Sequence, residues 1–299
     1  MVSNPIELLG QILSGYRLER ILGSGATGAV FLGQRVDQPA PPVAIKVLIL
    51  PWQTTDADRE AFQARFRREA QALLELEHPN IPRLLGFGIE TSYSYLILQY
   101  IDNGSLFTRL AQGPMGFDEI ARYTQQLSSA LDYAHSRNLI HRDIKPANVL
   151  LDNQGNAYLS DFSIVRLFTS DAQKGLTSTG QSIGTPEYMS PEQMRGIETG
   201  PTSDIYSLGL LVYQMVTGRV PFQGASVLDL ALKHTQEAPP YPRTLRPDLP
   251  PPAEAAIIRT LAKDPAYRFQ TATEFAIAFT EGLQNRYTAS NATPALNPT

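Results

Sequence analysis

A chain of 299 residues with 42% hydrophobic and 18% charged residues suits one large soluble domain or two packed lobes. Its 25 Lys and Arg against 29 Asp and Glu leave a formal charge of -4, which argues against general affinity for nucleic acid or anionic membrane. The absence of cysteine excludes disulfides, thiolate metal sites and a catalytic thiol. No apolar run reaches the roughly 18 residues of a membrane helix. The chain therefore reads as soluble and cytoplasmic, alone or as the cytoplasmic part of a longer membrane-anchored protein.

Residues 1–15 carry Ile6, Leu8, Leu9, Ile12 and Leu13 at roughly helical spacing and are expected to cap a first lobe. Three strands follow at 16–22, 29–32 and 43–48, bounded by Gly, Pro and polar clusters. Residues 56–77 predict a helix with Phe62, Phe66, Ala70, Leu73 and Leu74 on one face. His78-Pro79 ends it, because proline disfavours helix at the residue before it. Strands are predicted at 84–89 and 93–100.

Past Asp102-Asn103-Gly104 the pattern becomes helical. Helices are predicted at 105–111, 117–137, 205–217, 227–234, 254–262 and 272–282. Seven prolines among residues 238–252 predict a rigid connection between two helices in preference to a ligand for a proline-binding module. Residues 284–299, rich in Ala, Ser, Thr, Asn and Pro, read as a disordered tail or linker. The domain boundaries expected are 1–15 for the lead, 16–100 for a strand-rich lobe and 101–283 for a helical lobe.

The first chemical motif is Gly23-Ser24-Gly25-Ala26-Thr27-Gly28-Ala29-Val30. Glycines at this spacing let backbone N–H groups approach phosphates. A dinucleotide fold would put a helix after this loop and an acidic residue about 20 positions on. Here another strand follows, and then Val43-Ala44-Ile45-Lys46. The second motif is His141-Arg142-Asp143-Ile144-Lys145-Pro146-Ala147-Asn148. Its Asp and Asn, five apart in one loop, can face a substrate hydroxyl and a metal respectively. Asp161-Phe162-Ser163 follows a short strand, and Gly184-Thr185-Pro186-Glu187-Tyr188, Ser190-Pro191-Glu192 and Asp204 come after it.

With these motifs in this order, the chain resembles the eukaryotic-like Ser/Thr protein kinases common in bacteria, over residues 16–283. The resemblance implies an α+β, bilobal kinase fold: a small antiparallel β-rich lobe with one main helix, and a larger, mainly helical lobe. It implies a signalling transferase that moves the γ-phosphate of ATP to protein Ser/Thr hydroxyls with Mg²⁺, or Mn²⁺ in its place. Lys46 would hold the α- and β-phosphates and pair with Glu69, with Glu60 as the other candidate. Asn148 and Asp161 would ligate the metal through hard oxygens. Asp143 would take or orient the substrate hydroxyl, and Lys145 would neutralise the γ-phosphate. The nucleotide would meet Gly23, Ser24, Gly25, Ala26, Thr27, Gly28, Val30, Ala44, Lys46, Leu98, Gln99, Ile101 and Leu151. Lys145 and Thr185 imply Ser/Thr rather than Tyr specificity.

Other residues have plainer readings. His141 is expected to be a core histidine packed with Phe162, Leu73 and Leu84, and Asp204 a buried brace for the loop backbone. Ser105, at the edge of the ribose pocket by resemblance, also reads as a helix cap. A Glu192–Arg268 ion pair is expected to be structural, with the Arg on a late helix. His78, His135 and His234 lack metal-ligand spacing, and Trp52 reads as a loop anchor. One position departs from the family pattern: Ser163 stands where Gly is usual, which should narrow the flipping of that segment without removing a metal ligand. It is also the one feature favouring a pseudokinase or ATP-binding scaffold over an active enzyme. A small-molecule kinase is disfavoured by the polypeptide platform that residues 184–192 imply. Thr177 and Thr179 are the expected autophosphorylation sites, whose phosphates would pair with Arg142. Transfer between copies implies a transient homodimer.

Overall fold

The computed structural model describes residues 5–25, 28–49, 54–162 and 186–290, the side chains of residues 5 and 285–290 excepted. The chain divides into two units, passing from the first to the second between Asn103 and Gly104. The class is the α+β one expected, with a β-rich first unit and a mainly helical second.

The first unit holds one six-stranded sheet. Its strands are β1 (Ile12–Leu13), β2 (Tyr16–Gly25), β3 (Gly28–Arg35), β4 (Val43–Ile49), β5 (Leu84–Ile89) and β6 (Tyr93–Gln99), in the spatial order β1-β2-β3-β4-β6-β5. All neighbours are antiparallel. Strand alternation separates two faces. Ala29, Phe31, Ile45, Val47, Tyr95 and Ile97 pack on one, together with Leu8, Leu13 and Leu18. Leu48, Leu84 and Leu96 pack on the other against Phe62, Phe66 and Ala70. These last three lie on α1 (Asp56–Leu74), whose N-cap Thr55 accepts a hydrogen bond from Asp58 N (3.1 Å).

The lead segment covers the sheet as a cap, but not as the helix its spacing suggests. A single 3₁₀ turn, Pro5–Leu8, gives way to β1, and Ser14 and Gly15 turn the chain into β2 with φ of 47° and 80°. Gly10 and Gly15 interrupt helical propagation.

The second unit is built on α5 (Pro201–Thr217), which is buried almost throughout. Its other helices are α2 (Leu106–Ala111), α3 (Phe117–His135), α4 (Pro191–Met194), α6 (Val227–Gln236), α7 (Pro251–Thr260) and α8 (Ala272–Ser290), of which α3 and α7 pack on α5 and α8 packs on both of these. A short hairpin joins β7 (Val149–Leu151) to β8 (Ala157–Leu159). Gly209 of α5 permits close approach to α7, since a Cβ there would lie 2.6 Å from Thr260 Cγ2. Asp132 of α3 accepts from Ala272 N and Thr273 N (both 2.8 Å) and so satisfies the first turn of α8.

Several helix ends differ from expectation. Pro201 and Pro251 are the first residues of α5 and α7, where a proline lacks only an N–H that would be unpaired anyway. The proline-rich segment is thus partly helix, and Arg246 within it donates to Met115 O (3.0 Å) and lies 4.3 Å from the Phe117 ring. The helix α8 runs to Ser290, past the start at residue 284 of the compositionally linker-like stretch, because no Gly or Pro interrupts it there.

Candidate active site

In the first unit the ladder sets a row of residues side by side. Gly23 pairs with Val30, Val30 with Lys46, and Lys46 with Leu96. Directly opposed residues share a face, so Val30, Lys46 and Leu96 stand in one row. Ala44 and Leu98, opposed to each other, stand on the same face two residues along. Lys46 is half-buried in this apolar surface, an arrangement in which the stem packs and the ammonium reaches outward. Gly28 has φ 151° and a Cβ there would lie 1.9 Å from Val47 O, so this turn admits glycine alone. Gln99 N donates to Arg83 O (2.8 Å) and Ile101 is buried. Glu69 is half-buried on α1 beside core residue Ala70, whereas Glu60 is exposed. Ala26 and Thr27 lie outside the described residues.

In the second unit the loop 141–148 is held from below by a buried carboxylate. Asp204 accepts from His141 N (2.8 Å) and His135 Nε2 (2.8 Å) at Oδ2, and from Arg142 N (2.7 Å) at Oδ1. His141 is buried; its Nε2 donates to Ser160 O (2.8 Å), and its Nδ1 accepts from Asp143 N (3.3 Å). These partners require the neutral tautomer with hydrogen on Nε2. The His141 ring meets Phe162 edge-on at 4.7 Å. Both expected plain roles, core histidine against Phe162 and brace at Asp204, are what the geometry displays.

On this base the polar side chains converge. Lys145 Nζ lies 2.8 Å from Asp143 Oδ2, and Asn148 Nδ2 donates to the same oxygen (2.9 Å) and to Asp143 O (2.7 Å). With Nδ2 turned to Asp143, the lone pairs of Asn148 Oδ1 face the other way. Ser160 ties the second carboxylate to this group, donating from N (2.9 Å) and Oγ (3.0 Å) to Asn148 O, and Asp161 follows it directly. Two hard oxygen donors, one neutral and one anionic, suit a divalent cation that also takes water and phosphate oxygens. Among the described residues no cluster of three or more His, Asp or Glu side chains could hold a metal. Arg142 (φ 66°) and Asp161 (φ 64°) both adopt left-handed backbone, which non-glycine residues hold only under constraint. Leu151, buried on β7, donates its N–H to Gly104 O (3.0 Å), and Ser105 is the N-cap of α2.

Further along, Tyr188 donates to Gln214 Oε1, and Ser207 Oγ donates to Tyr188 O (2.7 Å). Burial, helped by the charge of Glu187, raises the Tyr188 phenol well above its ordinary value. Glu192 and Arg268 form a bidentate pair (2.7 and 3.0 Å). Arg268 follows the 3₁₀ turn Pro265–Tyr267 between α7 and α8, so it is carried by a loop, not by a late helix. Sequence reading did not find Gln193, Thr199 or Ser160. For Gln193 a signal exists: Ser190-Pro191-Glu192-Gln193 is a capping box at the start of α4. Trp52, Ser163, Thr177, Thr179, Gly184 and Thr185 lie outside the described residues.

Residues 16–285 match the model of the protein kinase domain, and the chain belongs to that family. It is 37% identical over 267 residues to the serine/threonine-protein kinase PrkC of Bacillus subtilis, covering 89% of this chain and 40% of that protein. It is 36% identical over 263 residues to the probable serine/threonine-protein kinase PknB of Lactococcus lactis, covering 87% and 41%. Against the serine/threonine-protein kinase pkn2 of Myxococcus xanthus it is 36% identical over 296 residues, covering 96% and 35%. The chain thus spans about two fifths of the length of the curated relatives it matches. The family uses ATP and a divalent metal. No helix among the described residues is long and apolar enough to cross a membrane.

Proposed function

We propose that this chain is a catalytic domain that transfers the γ-phosphate of ATP to Ser or Thr hydroxyls of proteins. The convergence of Lys145 and Asn148 on Asp143 Oδ2 carries this reading. Both donors fix the carboxylate, leaving Oδ1 to accept the hydroxyl hydrogen as the oxygen attacks phosphorus. Lys145 lies beside that oxygen, where negative charge grows on the transferred group. Lys46, on the face shared with Val30, Ala44, Leu96 and Leu98, holds the α- and β-phosphates, with Glu69 orienting it. Asn148 and Asp161 hold the divalent ion, Mg²⁺ by preference, which neutralises phosphate charge when bound. Phosphorylation of Thr177 or Thr179 by a second copy, through a transient homodimer, completes the proposal.

The test is incubation with labelled ATP and Mg²⁺, followed by mass spectrometry of the chain and of protein substrates. Asp143→Asn should lower transfer by roughly 10²–10⁴-fold, and Lys46→Ala should weaken it while the fold survives. Equal transfer by wild type and Asp143→Asn, or none by the wild type, would overturn the reading. Phosphate on Thr177 or Thr179 in the wild type alone would support the autophosphorylation step; an unmodified segment in an active wild type would refute it.

A further inference from the structure

The peptide plane between Arg142 and Asp143 carries the carbonyl of the one residue and the N–H of the other. Both ends of that plane are engaged. The N–H donates to His141 Nδ1 (3.3 Å), and the carbonyl accepts from Gln193 Nε2 (2.8 Å). The orientation of the Gln193 amide is fixed by its other bond, because Oε1 accepts from Ser190 N (2.9 Å) and only Nε2 is left for Arg142. Arg142 is also held at N by Asp204 Oδ1 (2.7 Å) and at Nε by Thr199 Oγ1 (2.8 Å). Its φ of 66° belongs to a region that a β-carbon disfavours, so the residue stays there only while its surroundings retain it. Loss of the Gln193 bond would free the plane to rotate toward ordinary backbone angles, and the Asp143 side chain would swing with it.

Gln193 belongs to α4, next to the Pro186–Tyr188 turn, and Ser207 Oγ anchors that turn through Tyr188 O. One amide therefore connects this stretch of chain to the backbone that aims Asp143.

We propose that Gln193 is a positioning residue for Asp143, pinning the Arg142–Asp143 peptide so that alignment of the base depends on the seating of residues 186–194. The inference rests on the phosphotransfer reading above. Gln193→Glu keeps the acceptor for Ser190 N–H and removes the donor to Arg142 O; Gln193→Leu removes both. Measured on the purified chain, kcat should fall roughly 10–100-fold in both variants, the cost of leaving a carbonyl unpaired and a base misaligned. KM for ATP should stay within about threefold, and the thermal midpoint of Gln193→Glu should stay near the wild-type value. Should the glutamate variant unfold, Gln193→Met supplies the same kinetic readout. A wild-type kcat in folded Gln193→Glu or Gln193→Met sinks the inference alone, as does a loss of activity matched by the unfolded fraction. A wild type without any transfer sinks the functional reading and this inference with it.

Discussion

Asp204 and Glu192 are both buried carboxylates of the second unit, and the two are used differently. Asp204 faces two backbone N–H groups and a histidine. Two of its three partners are backbone N–H groups, and what it fixes is the path of the loop that bears Asp143. Glu192 faces a full positive charge. Arg268 grips it with two parallel bonds, Ser203 adds a third (2.6 Å), and every N–H of the guanidinium is engaged, the others reaching Ala262, Thr202 and Lys263 carbonyls. The pair joins segments 76 positions apart. Asp204 also reaches across 62 to 69 positions, so the difference lies in what is held: the backbone N–H groups of a loop in one case, a counter-ion in the other.

The largest effect expected from this contrast is on stability. Arg268→Met strands Glu192 without its counter-ion, and a buried pair broken on one side costs about 3–5 kcal/mol. Urea denaturation should show that loss, with phosphotransfer per folded molecule near wild type. A large drop in kcat with little loss of stability would erase the distinction. The pH dependence follows. Burial alone would raise the Glu192 carboxyl, but the bonds from Arg268 and Ser203 outweigh it and hold it below its ordinary value of 4.5. Its contribution is therefore present above about pH 4.5 and lost as pH falls below it, and Arg268→Met should flatten that acid limb.

Asp204→Asn should do the reverse. The amide keeps one acceptor oxygen for three donors, so kcat should fall roughly 100-fold, while stability falls by about 1–3 kcal/mol. Unchanged kinetics in a folded variant would mean that the loop keeps its path without the charge.

His234 sharpens the comparison, because it is buried with no counter-ion beside it among the described residues. Burial first, and the nearby Lys263 charge second, lower its pKa from 6.5 to about 4. As pH falls the unfolded chain binds this proton before the folded one. Its stability contribution is complete above about pH 6.5 and is lost progressively toward pH 4. Between pH 7 and 5 wild type should lose about 2 kcal/mol through this group, and His234→Phe should remove that slope. An identical slope in the variant would assign the acid sensitivity elsewhere. The smallest effect is that of Ser203→Ala, which deletes a neutral donor to Glu192: about 1 kcal/mol, with kcat unchanged. A kinetic defect there would show that the ion pair also tunes the loop.

Much of this was legible in sequence, for a physical reason. Strand alternation and helix periodicity are local, and so are caps and turns, so seven helices and five main strands could be placed, with most ends within about four residues and the end of α8 the exception. The motif residues stood out because they fall in short local clusters, and the structure brings Asp143, Lys145 and Asn148 of one such cluster together. What could not be read is where a plain side chain reaches. The capping box marks Gln193 as a helix-start residue, but nothing local shows its second partner, the carbonyl of Arg142, 51 positions away. Thr199 is hidden for the same reason. The lead segment packs as the cap expected of it, but its local form was not legible, because apolar spacing over so few residues fits a helix as well as a turn and strand, and Leu8 and Leu13 are buried either way. The prolines at 201 and 251 misled because the same residue that ends a helix also begins one.

The left-handed residues on either side of Asn148 carry a consequence for laboratory evolution. Arg142 and Asp161 each hold a backbone angle that glycine adopts freely. Relief of about 1–2 kcal/mol is therefore available at each by a change that also deletes a charged side chain. A library screened for heat resistance alone should enrich glycine or asparagine at these two positions, and the survivors should be durable proteins that have stopped transferring phosphate.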